Sequence, residues 1–104
     1  MKQYIVSYLG GDQPTSPEEG KKHFAEYQKW IGSLGDAAIK PMVPFKNIHT
    51  VAPDGSAKPG SAIQMSGQTV LQAESIEAAL EMVKTCPFLG INGTLEVAEV
   101  VEMG

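Results

Sequence analysis

Residues 2–9, Lys-Gln-Tyr-Ile-Val-Ser-Tyr-Leu, place Tyr4, Val6 and Tyr8 on one face of an extended strand and Ile5, Ser7 and Leu9 on the other. Both faces are largely apolar, and a strand of that kind is covered on both sides. The demand is severe for a chain of 104 residues. Such a chain makes about one domain and buries roughly two-thirds of the surface that its unfolded form exposes. Gly10-Gly11-Asp12 ends the run with a turn signal.

Two helices follow from local signals. Ser16-Pro17-Glu18-Glu19 is a helix start: Ser16 caps, Pro17 fits the first helical position and Glu19 completes a capping box. The predicted helix runs over 17–34. At a step of ~100° per residue, Phe24, Tyr27, Trp30, Ile31 and Leu34 form one apolar arc. Lys22, Glu26, Lys29 and Ser33 lie opposite, and Gly35 ends the helix as a left-handed cap. Ser75 caps a second helix over 76–86, with Ile76, Ala79, Leu80, Val83 and Cys86 as its buried stripe. Lys84 sits in its last turn, where the helix dipole favours a cation, and Pro87 ends it.

The remaining chain reads as strands and turns. Ala37 to Phe45 is a short strand whose Pro41 and Pro44 confine it to a sheet edge. Asn47 to Val51 is expected to pair nearby, Pro53-Asp54-Gly55 is a turn, and Ser56 to Ser61 is loop. Strand character returns over 62–65 and 68–73. Residues 88–93 read as loop, with Asn92-Gly93-Thr94 as a turn, before a last strand over 94–101. The order strand, helix, strand, strand, helix, strand is the split βαβ pattern. The expected fold is therefore α+β: a ferredoxin-like βαββαβ sandwich, one domain over 1–104, with both helices on one face of an antiparallel sheet. Two helices cover only one face. A second copy of the same sheet is the simplest cover for the other, so a homodimer is expected.

Composition narrows the partners. The formal net charge is −4, and Lys21-Lys22 is the only adjacent basic pair, so nucleic acid is not an expected partner. The single cysteine, Cys86, allows no internal disulfide and no thiolate cluster. No apolar run approaches ~18 residues, so no membrane span is expected. The N-terminus lacks the pattern of a secretory signal, and the chain reads as cytoplasmic.

The informative polar residue is His23. Its helical angle falls between those of Trp30 and Leu34, so it lies on the apolar arc rather than the solvent face. One reading is a partly buried histidine held by a hydrogen bond. The other is a general acid/base at the mouth of a pocket. Asp12 in the first loop, Glu19 one turn earlier and Asp36 after the helix are candidate partners. His49 reads as an exposed strand or hairpin residue, and Cys86 and Trp30 as packing. Two histidines and one cysteine give no metal-ligand spacing. No phosphate loop or dinucleotide fingerprint is present, and Ser7 and Ser66 have no adjacent base to support a serine triad. No metal or other cofactor is therefore expected.

The chain resembles the YCII-related (YciI-like, DGPF-type) family of small dimeric α/β-barrel proteins. The resemblance is carried by the opening strand with its Gly-Gly-Asp exit, by Ser16-Pro17-Glu18-Glu19 leading to His23, and by Tyr27. It continues through Leu34-Gly35, Pro41-Met42-Val43-Pro44, Thr50-Val51 ahead of Asp54-Gly55, Ser75-Ile76-Glu77-Ala78-Ala79 and Cys86-Pro87. The Asp-Gly-Pro-Phe motif itself is absent after Gly55. The resemblance implies a ferredoxin-like fold, pairing of two protomers through their sheets, and a histidine–aspartate site in a pocket. His23 matches the family's helix histidine and Asp12 its acidic residue after the first strand, with Asp36 as the other acidic candidate. Two functions stand open: a cofactor-independent enzyme acting on a small molecule, and a non-catalytic ligand-binding or accessory protein.

Overall fold

The computed structural model describes residues 1–101; positions 102–104 of the expected domain lie outside the described residues. The elements are β1 (Lys2–Gly10), α1 (Pro17–Leu34), β2 (Ala38–Pro44), β3 (His49–Val51), β4 (Ala57–Pro59), β5 (Met65–Ala73), α2 (Ile76–Val83) and β6 (Gly93–Glu99). Short 3-10 turns at Gly35–Ala37 and Pro87–Ile91 complete the path. Strands β2, β5, β1 and β6 form one four-stranded sheet in that order, with every neighbouring pair antiparallel. This is the ferredoxin-like topology. The proline-bearing β2 occupies an edge, where missing donors cost no ladder bonds.

The helices start where their caps direct. Ser16 accepts a hydrogen bond from the Glu19 amide, and Ser75 accepts one from the Ala78 amide. The Glu19 carboxylate does not close the expected capping box; it accepts from the Thr15 hydroxyl instead. Tyr4, Val6 and Tyr8 of β1 are fully buried. They pack with Leu71 of β5, Tyr27 and Trp30 of α1, Ala79 and Val83 of α2, and Cys86 and Phe88 beyond it. The Trp30 indole donates to the Met82 carbonyl at 3.1 Å and the Thr85 hydroxyl at 3.0 Å, which ties the end of α1 to α2.

Several expectations are corrected. Phe24 is 59% exposed, because the first turns of α1 overhang a cavity rather than the sheet. Leu80 is exposed too, since α2 rolls its Ala79–Val83 line onto the sheet. Helix α2 ends at Val83, and Cys86 leads into a 3-10 turn over Pro87–Ile91 rather than a loop. The stretches 62–65 and 68–73 are not two strands: the single β5 spans Met65–Ala73, with a register shift opposite Tyr8 and Leu9, and 62–64 lie outside it. Ala57–Pro59 is not loop; it pairs with His49–Val51 as a separate two-stranded hairpin. Pairing across the Pro53–Gly55 turn supplies there what the propensity of 57–59 does not. Among the described residues no helix is long and apolar enough to cross a membrane.

Candidate functional site

A cavity of about 420 Å³ opens between the N-terminal half of α1, the loop after β1 and the end of the sheet. Tyr8, Tyr27, Met42, Phe88 and Ile91 give it apolar walls, and Asp12, Glu19, Lys22 and His23 also face it. His23 is half-buried and Asp12 exposed. The structure thus brings His23, Asp12 and Glu19 to one cavity. Asp36 lies at the opposite end of α1, exposed and outside the lining, where its backbone carbonyl accepts from Gln72.

The loop that presents Asp12 is held from two sides. Gly10 and Gly11 carry φ values of +70° and +91°, which favour glycine. A Cβ on Gly11 would lie 2.9 Å from the Phe88 ring. The Asp12 amide donates to the Ile91 carbonyl at 2.7 Å, and the Asn92 side-chain amide donates to the Asp12 carboxylate at 2.7 Å. Asn92 makes that reach from a left-handed backbone, φ +62°. Among the described residues no hydrogen bond joins His23 to Asp12. The Glu19 carboxylate is engaged by Thr15, as the Asp12 carboxylate is by Asn92.

Sequence reasoning missed a feature behind the cavity wall. The hydroxyls of Tyr8, Tyr27 and Thr69 form a closed triangle: Tyr8 to Tyr27 at 2.5 Å, Tyr8 to Thr69 at 2.8 Å, and Tyr27 to Thr69 at 2.9 Å. Three hydroxyls supply three donors and three acceptors, so each can donate once and accept once with no water. Burial raises the Tyr8 phenol, and the Thr69 bond offsets only part of that rise. The Tyr27 phenol is raised for the same first reason, against smaller lowering by Thr69 and Tyr8. Both phenols therefore stay neutral across the physiological range. A signal was present: Tyr8 on the buried face of a strand needs a partner for its hydroxyl. Nothing local says that Thr69, 61 residues on, supplies it.

His49 is exposed, its ring nitrogen within 2.9 Å of the Asn47 carbonyl. Cys86 is buried, and burial pushes its thiol up to about 11, which keeps it protonated and inert. Among the described residues no three His, Cys, Asp or Glu side chains cluster so as to hold a metal ion.

Topology and cavity together define a small ferredoxin-like α+β protein with a pocket between its first helix and its sheet. No family model and no curated protein matches the chain. Among solved structures it is similar to the 5-chloro-2-hydroxyhydroquinone dehydrochlorinase of Burkholderia phenoliruptrix, determined in complex with 2,5-dihydroxybenzoquinone. The TM-score is 0.58 at 19% identity, over 98% of this chain and 95% of that one. At that identity the likeness carries the fold.

Proposed function

We propose that the chain is a YCII-related protein, a homodimer whose His23- and Asp12-centred pocket takes a small oxygenated ring compound and moves a proton on it without a cofactor. The observation that carries the reading is the placement of His23 and Asp12 on one cavity with apolar walls. At about 420 Å³ the cavity lies within the ~300–1,000 Å³ of small-molecule sites. Met42, Phe88 and Ile91 supply apolar contact for a ring. Imidazole is the side chain best suited to take and return a proton near neutral pH. Asp12, fixed by Asn92, puts a carboxylate on the same cavity. A solved relative of the same fold holds a dihydroxybenzoquinone, which is the reason for choosing this ligand class.

The test is a titration with 2,5-dihydroxybenzoquinone followed through Trp30, whose ring sits 5.6 Å from that of Tyr27 in the cavity wall. Saturable quenching is expected, weakened tenfold or more by His23→Ala, with Tm nearly unchanged. Quenching indifferent to His23→Ala removes His23 from the site. A Tm drop of several degrees with no ligand found makes the histidine structural.

One observation favours a second reading. The Asp12 carboxylate is bonded to Asn92 and not to His23, an arrangement suited to a binding module that holds a ligand without turning it over. Ligand-dependent stabilisation with no product by mass spectrometry supports that reading, and turnover of any metabolite removes it.

A further inference from the structure

We propose that the β3–β4 hairpin of one copy is an arm that closes the site of the other copy; the inference rests on the homodimer proposed above. A two-stranded hairpin is marginally stable by itself in water. This one forms its own sheet, and neither strand packs extensively on the helices or the four-stranded sheet. It carries Val51, 66% exposed, and its return segment carries Ile63, 53% exposed. The radius of gyration is 15.0 Å, against the ~13 Å of a compact chain of this length. An apolar, projecting hairpin needs a surface to lie on.

Charges on the open face of the sheet say which copy supplies that surface and where. Register aligns Lys40, Val70, Ile5 and Ala98 in one row across this face, and Val43, Gln68, Ser7 and Glu96 in the next. Lys40 stands on the β2 edge and Glu96 on the β6 edge; both are exposed, and neither joins an ion pair among the described residues. Two-fold axes lying across and along the strands give the two limiting face-to-face pairings. An axis across the strands sets each β2 over its own counterpart, Lys40 against Lys40. An axis along the strands keeps the rows and sets β2 over the partner's β6, so that Lys40 lies over the Ala98 position with Glu96 one row away. Opposite charges favour the second, and like charges oppose the first.

That choice fixes what the arm meets. The arm leaves the sheet between β2 and β5, at the end where β1 delivers Asp12. With the axis along the strands, it lies beside the partner's β1–β6 end, the corner made by Leu9, Asp12, Asn92 and Thr94. This corner already holds a cleft of about 460 Å³ beside the Gly10–Asp12 loop, one wall of which is Ile63 and Gln64 from the return segment of the same copy. The arm covers the loop that presents Asp12, so each site is complete only in the dimer.

The test places Val51→Cys and Thr94→Cys in the full chain and treats it with a short bis-maleimide. The parent chain, whose only thiol is the buried Cys86, serves as control. A covalent dimer on a denaturing gel, absent from either single variant, is the expected result. Sedimentation of the same sample separates the failures. A dimer that does not cross-link overturns the arm and leaves the paired sheets standing, while a monomer overturns both. Should the double variant misfold, hydrogen exchange of the unmodified chain decides. Amides of 49–59 protected at high concentration and freed on dilution support the arm, and amides exchanging freely at both concentrations overturn it.

Discussion

Thr69 lies at the centre of the molecule's least replaceable polar contact. Its hydroxyl, fully buried, bonds both tyrosines of the triangle. Thr69→Val keeps the shape and removes one donor and one acceptor, leaving two buried phenols one partner short. Stranding buried polar groups costs about 1–3 kcal/mol, so the urea midpoint should fall by that equivalent, while Ser66→Ala at the cavity edge should change it little. The two tyrosines of the triangle, together with the buried Cys86, set an alkaline limit. The folded-state values of Tyr8, Tyr27 and Cys86 all lie above their unfolded values, so the neutral forms are favoured by folding. Stability from this source is complete below about pH 9 and declines as the unfolded thiol and phenols ionise, from about pH 9 upward. Urea midpoints measured between pH 8 and pH 11 should fall over that window. A flat profile would show that the triangle opens to water.

At the scale of elements, Phe88 is the hinge pin between the last strand and the Asp12 loop. Its ring lies over Gly93 and Gly11 and meets Tyr8 edge-on with centroids 5.2 Å apart. A Cβ built on Gly93 enters the Phe88 ring and crowds its carbonyl. Gly93→Ala should therefore cost about 1–3 kcal/mol, the ordinary penalty of overpacking, and Gly11→Ala should add backbone strain at φ +91°. Calorimetry of both variants checks this; an unchanged Tm for Gly93→Ala would mean that the 3-10 turn swings freely. The elements also show what a sequence can disclose. Ser16, Pro17, Gly35 and Ser75 act on their own neighbours, so both helix starts and the end of α1 were readable. The helical angle also put His23 on the half-buried side of α1, although the same angles misplaced Phe24 and Leu80, whose burial depends on what the helices face. The arm was not: Ala57-Lys58-Pro59 has the composition of a loop and becomes a strand only by pairing with His49–Val51. The hydroxyl triangle was hidden for the same reason, since it joins positions 19, 42 and 61 residues apart through the register of β1 with β5.

At the scale of the molecule, the sheet is covered by helices on one side and leaves Ile5, Leu9 and Val70 half-buried on the other, with Ser7 nearly closed off between them. Such a face is too apolar to remain wet at no cost and too polar, with Gln68 and Glu96 in its second row, to pair in any register. In the proposed dimer Lys40 and Glu96 act as the register key. In a two-fold dimer the contact between them occurs twice, so reversing one sign counts double. Lys40→Glu should raise the dimer dissociation constant at least tenfold, about 1.4 kcal/mol. Lys40→Glu combined with Glu96→Lys should restore most of that loss, because the pair is remade with its signs exchanged. The loss should shrink in high salt if the pair sits at a wet rim and persist if it is sealed. Analytical ultracentrifugation of the parent, the two single variants and the double variant measures all of this. Independent, additive effects of the two changes would place the charges apart and send the arm elsewhere.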